Sequence, residues 1–312
     1  MKIVQILQIG NPDQVIKESD ILICGCGYEE RCIALVNDKI DLIKNIQNKY
    51  VFSYTGPDVQ QLEEHQLFFS NLNFKFYNIS HQADIDIALE NILGENLEKN
   101  QLRILVDYSS MERQWYSKIL NFLSRYRSGT LLNLFCSFIY SVPTFVSDSS
   151  DKNFSINGID ALPGFSSISI PDKPTALIVG LGTNEKALAS LRYFADIDYI
   201  HYFYTNNSYV PSLKDKYHVL WNRYAPEQMH EYELKNMVPV FNTLCDIYNS
   251  LKEEYRLVII SCGPKPFTLM SLLFAQIYGI DVWYMKNNLS THYVPKKSLG
   301  DYITFGIEYI GI

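Results

Sequence analysis

Two stretches of the sequence decide the fold: ILICGCGYEER at residues 21–31 and ALIVGLGTNEK at residues 176–186. Each begins with a short apolar run without alternation, which is typical of a strand buried on both faces. Each continues with two glycines that permit a tight turn, and then with polar residues that open a helix. The sequence therefore contains the strand, turn and helix of an α/β unit twice.

Two further pairs of segments keep the same spacing. The strand-like run at 103–106 corresponds to 256–259, and Val142-Pro143 corresponds to Val294-Pro295. The offsets of the three pairs are 180 − 25 = 155, 256 − 103 = 153 and 295 − 143 = 152 residues. Because the offset is so steady, we predict two tandem copies of one α/β unit that superpose with the same strand order.

The rest of the chain alternates strand-like and helix-like segments. This pattern predicts an α/β fold of two tandem Rossmann-like, doubly wound parallel sheets related by internal duplication. We expect a first unit over residues 1–150, a linker over 151–173 and a second unit over 174–312. The linker is rich in Ser, Asp, Asn, Gly and Pro, although Leu162–Phe165 within it should dock onto a core. The apolar run at 3–9 has no equally strong counterpart in the second copy, so it should form a strand added at the edge of the first unit.

Composition restricts the class of protein. The chain of 312 residues is 47% hydrophobic with a net charge of −7, so it can fill two cores but lacks the broad basic face that duplex nucleic acid requires. No apolar run approaches the roughly 18 residues that span a bilayer, and the first residues lack the apolar core of a signal peptide. The six cysteines include no Cys-x-x-Cys pair, which suits a reducing compartment. We therefore expect a cytoplasmic protein with no membrane partner.

Candidate ligand-binding residues lie where the predicted strands end. In open parallel sheets, ligands bind outside the carboxyl ends of the strands, at the point where the strand order reverses. Two loops of each unit should meet there and offer backbone amides, hydroxyls and cations to a small anion. The candidates in the first unit are Gly25, Gly27, Arg31, Asp107, Ser109, Ser110 and Arg113. The candidates in the second unit are Gly180, Gly182, Asn184, Ser261, Gly263 and Lys265.

A structural role is the alternative for several of these residues. The glycines could be plain turns, and Arg31 or Arg113 could form a bridge to a carboxylate instead of gripping a phosphate or carboxylate of a ligand. Asp107 ends a strand, where a catalytic carboxylate would lie, but the second copy has Ile260 at that position. The two copies have therefore diverged, and one alone could retain such chemistry.

Other familiar sites are not indicated. The glycine motif lacks the third glycine and the later acidic residue of the dinucleotide fingerprint, which argues against NAD. The six histidines form no ligand cluster in the sequence, and there is no Gly-x-Ser-x-Gly or Walker sequence. We expect no cofactor and no metal, and no catalytic residue can be assigned from the sequence.

The stretch SCGPKPFTLM at residues 261–270 follows a buried apolar run and precedes a helical pattern. Together with the second glycine loop it resembles the CRISPR-associated Rossmann fold (CARF) family, which pairs a glycine-bearing loop after its first strand with a Gly-Thr-Lys-Pro-like loop before a later helix. Two such units in one chain are also similar to the SAVED arrangement of antiviral signalling. The matching positions are Gly180, Gly182, Gly263, Lys265 and Pro266.

This resemblance implies a sensor of a bacterial antiviral defence system that holds a nucleotide, such as a cyclic oligonucleotide, between its two units. Such a sensor would act through an effector protein as its partner. Lys265 and Arg113, which are 265 − 113 = 152 positions apart, would supply charge to one shared anionic site. Two alternatives stay open: an enzyme that hydrolyses or transfers a nucleotide, like a ring nuclease, and an interaction module with vestigial pockets.

Overall fold

The structure, a computed structural model, comprises two units, each with its own sheet. One unit is Met1–Thr144 together with Val294–Ile312, and the other is Phe145–Tyr293. The predicted α/β class is confirmed. The described residues are 1–55, 60–96, 100–127, 131, 133–144, 156–167, 172–182, 197–205, 228–287 and 297–311.

Strands and helices alternate through the first unit. Its elements up to residue 143 are β1 (Lys2–Ile9), α1 (Pro12–Glu18), β2 (Ile21–Cys26), α2 (Arg31–Asp38), α3 (Ile40–Ile43), β3 (Asn48–Tyr54), α4 (Gln60–Asn71), β4 (Lys75–Ile79), α5 (Gln82–Gly94), β5 (Gln101–Asp107), α6 (Arg113–Arg125) and β6 (Asn133–Pro143).

The second unit follows, and the chain then adds one last strand to the first unit. The described elements of the second unit are β7 (Ile156–Ala161), β8 (Thr175–Gly180), β9 (Ile197–Thr205), β10 (Met229–Tyr232), α7 (Val238–Leu251), β11 (Arg256–Ser261), α8 (Lys265–Tyr278) and β12 (Asp281–Asn287). The last strand is β13 (Ser298–Ile310).

The two sheets share one strand order. Read from corresponding edges, the first is β4-β3-β2-β5-β6-β13-β1 and the second is β10-β9-β8-β11-β12-β7. The register also agrees, because Cys24 pairs with Asp107 in the first sheet and Val179 pairs with Ile260 in the second. The equal order confirms the strand-order prediction for a duplicated unit.

Both sheets have the predicted parallel core, and each is mixed because antiparallel strands extend it. Five neighbouring strands in each sheet are parallel, β4 to β6 and β10 to β12. The next strand is antiparallel in both sheets, β13 beside β6 and β7 beside β12. Strand β1 lies at the edge of the first sheet, where the sequence predicted an added strand.

The antiparallel strands also change the division of the chain. After β6 the chain enters the second sheet as β7, and after β12 it returns to the first sheet as β13. Part of the predicted 151–173 linker is therefore a strand, and residues 298–310 belong to the first unit instead of the second. The local composition does not indicate which sheet β7 and β13 join, because the hydrogen-bond partners of both strands are distant in the sequence.

The predicted docking of Leu162–Phe165 is confirmed. The Leu162 and Phe165 side chains are both buried. The Leu162 amide donates to the Val282 carbonyl at 2.8 Å, and the Val282 amide donates to the Phe165 carbonyl at 2.9 Å. This segment therefore continues the edge pairing of β7 with β12.

The sequence Asn11-Pro12-Asp13 has the residue types of a turn, but it begins helix α1. The Asn11 side chain accepts a hydrogen bond from the Asp13 amide at 3.1 Å, and Pro12 occupies the first helical position. Both features are those of a helix start. Val15 and Ile16 then bury the helix against the sheet.

The helical pattern of the sequence extends over 232–254, but helix α7 begins only at Val238. Pro239 lies in the first turn of α7, where its missing amide hydrogen costs nothing. Residues 229–232 instead form β10, which pairs in parallel with the end of β9.

Candidate functional site

The candidate site of each unit lies at the carboxyl ends of the two central strands, where the strand order reverses. In the first unit these strands are β2 and β5, and in the second they are β8 and β11. The first glycine of each predicted loop, Gly25 or Gly180, belongs to the strand itself, and the second glycine follows β2 or β8. The other predicted loops follow β5 and β11. The structure therefore brings each predicted pair of loops to the expected position in its own unit.

The glycines allow these loops to approach each other closely. A Cβ on Gly25 would lie 2.8 Å from the side chain of Met111, which follows β5, and a Cβ on Gly182 would overlap the Cys262 carbonyl after β11. A Cβ on Gly263 would lie 2.9 Å from the Leu181 carbonyl. No residue larger than glycine fits at these contacts without a shift of the neighbouring loop.

Asp107 and Ser109 join the end of β5 to β6. One oxygen of the Asp107 carboxylate accepts hydrogen bonds from the Ser109 amide at 3.0 Å and from the Ser109 hydroxyl at 2.5 Å. The Ser109 hydroxyl oxygen in turn accepts from the Ser141 amide at 2.8 Å. Both side chains are at most 2% exposed. These contacts hold the loop, and they direct the serine and the carboxylate towards each other and β6.

Arg31 is a buried structural cation. Its side chain donates to the Glu29 carboxylate at 2.6 and 3.1 Å and to the Ser141 carbonyl at 3.1 Å. The guanidinium carbon lies 5.4 Å from the centre of the Tyr140 ring. Only 3% of the residue is exposed. Arg31 therefore has the structural role considered above, an ion pair with a glutamate, and it links the first glycine loop to β6.

Ser110 contributes a polar group to the candidate site of the first unit. Its hydroxyl is buried and has no hydrogen-bond partner among the described residues. Its carbonyl accepts from the Tyr54 hydroxyl at 3.2 Å, and the Tyr54 ring stacks on Trp115 with centroids 4.2 Å apart. The backbone around Ser110 is thus fixed, which leaves its hydroxyl as a group that a ligand could bond.

His65 of α4 supports the first glycine loop and was not predicted from the sequence. Its Nδ1 donates to the Gly27 carbonyl at 2.7 Å, and the side chain is buried. Helical spacing could have found it, because Leu62 and Phe69 lie three residues before and four after His65 and are buried on the same face.

Two tyrosines at the first glycine loop have raised pKa values. Burial raises the pKa of Tyr28, and the nearby charges of Glu29 and Glu112 raise it further. Burial of Tyr54 raises the pKa of its hydroxyl, and the charge of Glu112 raises it further.

Arg113 and Lys265 occupy matching positions, as the repeat predicted. Each is the first residue of the helix that follows the second loop of its unit, α6 and α8. Neither helix has a side-chain cap or an acidic residue in its first turn. A cation at a helix N-terminus opposes the helix dipole. The cap positions differ, since Glu112 precedes α6 and Pro264 precedes α8, so α8 has the more positive start.

Two hydroxyls join β11 to α8, and a third lies at the end of β9. The Ser261 and Thr268 hydroxyl oxygens are 2.5 Å apart and buried. Thr205 is 2% exposed, and its hydroxyl has no hydrogen-bond partner among the described residues. It lies on the same strand face as Phe203, whose ring is 5.5 Å from that of Phe267 in α8. Thr205 was not predicted, and Asn184, which was, lies outside the described residues.

A histidine pair in the second unit was also missed. Nδ1 of His201 on β9 and Nε2 of His230 on β10 are 2.8 Å apart. Burial, aided by the charge of His230, lowers the pKa of His201 to about 4, and burial lowers that of His230. The sequence could not pair them, because parallel neighbours that are 29 residues apart share no local pattern.

Comparisons with known proteins found no family model, no curated protein and no solved structure that matches the chain. Within the described ranges, no helix is long and apolar enough to cross a membrane. The same ranges contain no group of three or more His, Cys, Asp or Glu side chains that could hold a metal ion.

Proposed function

We propose that the protein binds a small anionic ligand of the nucleotide class at the carboxyl edge of its sheets, and that it acts as a sensor. One observation carries the proposal. In both units a glycine loop and a second loop meet at the point where the strand order reverses, which is where open α/β sheets bind ligands.

The second unit offers the better anion site. Lys265 begins α8, and its charge opposes the helix dipole by about 0.3–1 kcal/mol when no anion is near. A bound phosphate reverses that effect, because it attracts both the ammonium and the helix N-terminus. The Thr205 hydroxyl supplies a further polar group on the α8 side of the sheet. Lys265 is thus the residue on which binding should depend most.

The resemblance to CARF and SAVED proteins extends the proposal. It points to a cyclic oligonucleotide as the ligand, to the cytoplasm as the compartment, and to antiviral defence through an effector protein as the context. The six cysteines are all free thiols, which suits the cytoplasm. Sharing of one ligand by Lys265 and Arg113 stays a prediction of the repeat.

The sensor is favoured over the nucleotide-cleaving enzyme by the chemistry of the first unit. Among the described side chains of the candidate sites, Asp107 and Ser109 most resemble a general base and a nucleophile. Both side chains are buried, and the Ser109 hydroxyl oxygen already accepts a hydrogen bond from the Ser141 amide. A nucleophile needs access to the reacting atom of its substrate, so this pair supports a loop and not a reaction.

Mass spectrometry of small molecules released from the purified protein tests the proposal. A nucleotide found in this way is then titrated by calorimetry into wild type, Lys265→Ala and Lys252→Ala, an exposed lysine of the same unit. We expect Lys265→Ala to weaken binding roughly tenfold to a hundredfold, as for a lost charge-assisted contact, and Lys252→Ala to bind like wild type.

Three outcomes separate the alternatives. Binding with the ligand recovered unchanged supports the sensor, and turnover seen by chromatography replaces it with the enzyme. If no nucleotide is released and a panel of linear and cyclic nucleotides gives no binding heat, the interaction module is left as the explanation. Equal affinity of wild type and Lys265→Ala rules out the α8 site.

A further inference from the structure

A cavity of about 160 Å³ lies between α1 and the first sheet. Val15 of α1, Ile104 of β5, and Phe135 and Ser137 of β6 are among the residues that line it. Ile104 is three residues, or roughly 10 Å along the strand, before Asp107 at the carboxyl end of β5. The cavity is therefore distinct from the candidate site of the first unit.

Small residues on neighbouring strands create the space. Ser137 pairs directly with Gly306 of β13, so both face α1 side by side. A Cβ on Gly306 would lie 2.6 Å from the Phe135 ring and 2.9 Å from the Ile9 side chain. Phe135 and Ile9 thus cover Gly306 and form an apolar wall beside Ser137.

The cavity lining contains a hydroxyl that the fold does not use. Ser137 is 1% exposed, and its hydroxyl has no hydrogen-bond partner among the described residues. A buried hydroxyl without a partner costs free energy, which a polar atom of a ligand would recover. A serine hydroxyl can reach such an atom by rotation between its staggered rotamers.

The charges at the mouth of the cavity neutralise each other. Arg103 donates to the Glu18 carboxylate at 3.1 Å, and the Gln14 amide donates to the same carboxylate at 2.9 Å. The Arg103 guanidinium also lies 5.2 Å from the centre of the Phe135 ring. An anionic ligand would have to compete with Glu18 for Arg103, so the mouth favours a neutral ligand.

We propose that this cavity binds a small neutral molecule with an apolar body the size of a six-membered ring and one hydroxyl or carbonyl group that bonds Ser137. The size follows from the volume, since an apolar cavity of about 150 Å³ holds benzene. The polar group follows from the unused hydroxyl. This site is independent of the nucleotide site proposed above.

Phenol and benzene are the probes that test it, because they share the ring and differ in one hydroxyl. In titrations followed by saturation-transfer NMR, wild type should bind phenol about threefold to tenfold more tightly than benzene, the effect of one hydrogen bond. Ser137→Ala should bring the two affinities to within about twofold. Ser137→Leu should fill the space and remove binding of both probes.

Thr304→Val is the matched control. Thr304 is a buried residue of β13 on the same face of the sheet, and its hydroxyl also has no partner among the described residues, but it is not among the residues that line the cavity. This variant should keep the preference for phenol. The proposal is overturned if neither probe binds wild type, if Ser137→Ala keeps the preference, or if a folded Ser137→Leu binds as wild type does. Should Ser137→Leu fail to fold, the comparison of Ser137→Ala with Thr304→Val decides alone.

Discussion

Gly182 shows, at the scale of a single residue, why the repeated motif needs glycine. Its backbone lies against the Cys262 carbonyl of the neighbouring loop, where any Cβ would overlap that oxygen. Gly25 lies in the same way against Met111 in the first unit. Neither has the positive φ that glycine alone adopts easily, so close approach, and not backbone conformation, explains both.

Gly182→Ala should therefore destabilise the protein by about 1–3 kcal/mol, the usual cost of overpacking. Urea unfolding measures the change. Gly10→Ala is the control, because a Cβ there meets no atom within 4 Å, and it should be neutral to within about 0.5 kcal/mol. A Gly182→Ala variant as stable as Gly10→Ala would contradict the close contact of the two loops.

The histidine pair predicts how stability depends on pH. Its burial lowers the pKa of His201 from an ordinary value of 6.5 to about 4, so the unfolded chain binds more protons than the folded one between these values. The contribution of His201 to stability should be fully present above pH 6.5 and should be lost as the pH falls towards 4. Urea unfolding between pH 7.5 and 4.5 should show a shallower decline for His201→Phe. His81→Asn, at an exposed histidine, should keep the wild-type slope, and equal slopes for wild type and His201→Phe would refute the linkage.

At the scale of elements, the loop between β2 and α2 is held from several sides. His65 of α4 and the Cys32 thiol of α2 both donate to the Gly27 carbonyl, at 2.7 and 3.4 Å. Arg31 at the start of α2 reaches the Ser141 carbonyl of β6. A loop fixed by helix, strand and its own helix start is preorganised, which reduces the entropy lost when a ligand binds.

Arg31→Ala should lower the free energy of unfolding by about 2–3 kcal/mol, because it leaves Glu29 and the Ser141 carbonyl without their charged donor. Urea unfolding gives the value. The control is Lys75→Ala, whose ion pair with Glu95 is exposed, at 60% and 45% of the two side chains, and which should cost less than about 1 kcal/mol. If Arg31→Ala unfolds like wild type but loses ligand affinity, Arg31 belongs to the binding site instead.

At the scale of the whole molecule, the sequence predicts what is local and repeated. The apolar runs at β2 and β8 and the steady offset predict the two units, their strand order, and the matching positions of Arg113 and Lys265. The sequence could not decide between the two roles predicted for Arg31, and it could not predict the contact of Ser261 with Thr268, because a sequence does not say which side chain finds a buried partner. The pairings of β7 and β13 were missed for a similar reason, since they join residues that are distant in the chain.

Deletion of β13 tests whether residues 298–310 belong to the first unit. A chain that ends at Lys297 loses a strand that pairs along β6 on one side and β1 on the other. The deletion removes most of the hydrogen-bond partners of β1 and the buried side chains of Ile303, Phe305 and Ile307. The first unit should therefore unfold, although the deleted residues follow the second unit in the sequence.

Hydrogen exchange read by mass spectrometry distinguishes the units. Amides of β6 and β1 should lose protection by several orders of magnitude in the truncated chain, whereas those of β8 and β11 should keep most of theirs. The Ile310→Ala variant, which retains β13 and changes a 40% exposed side chain, should exchange like wild type throughout. Loss of protection confined to β8 and β11 would assign residues 298–310 to the second unit, as the linear order of the repeat suggests, and would refute the pairing of β13 with β6.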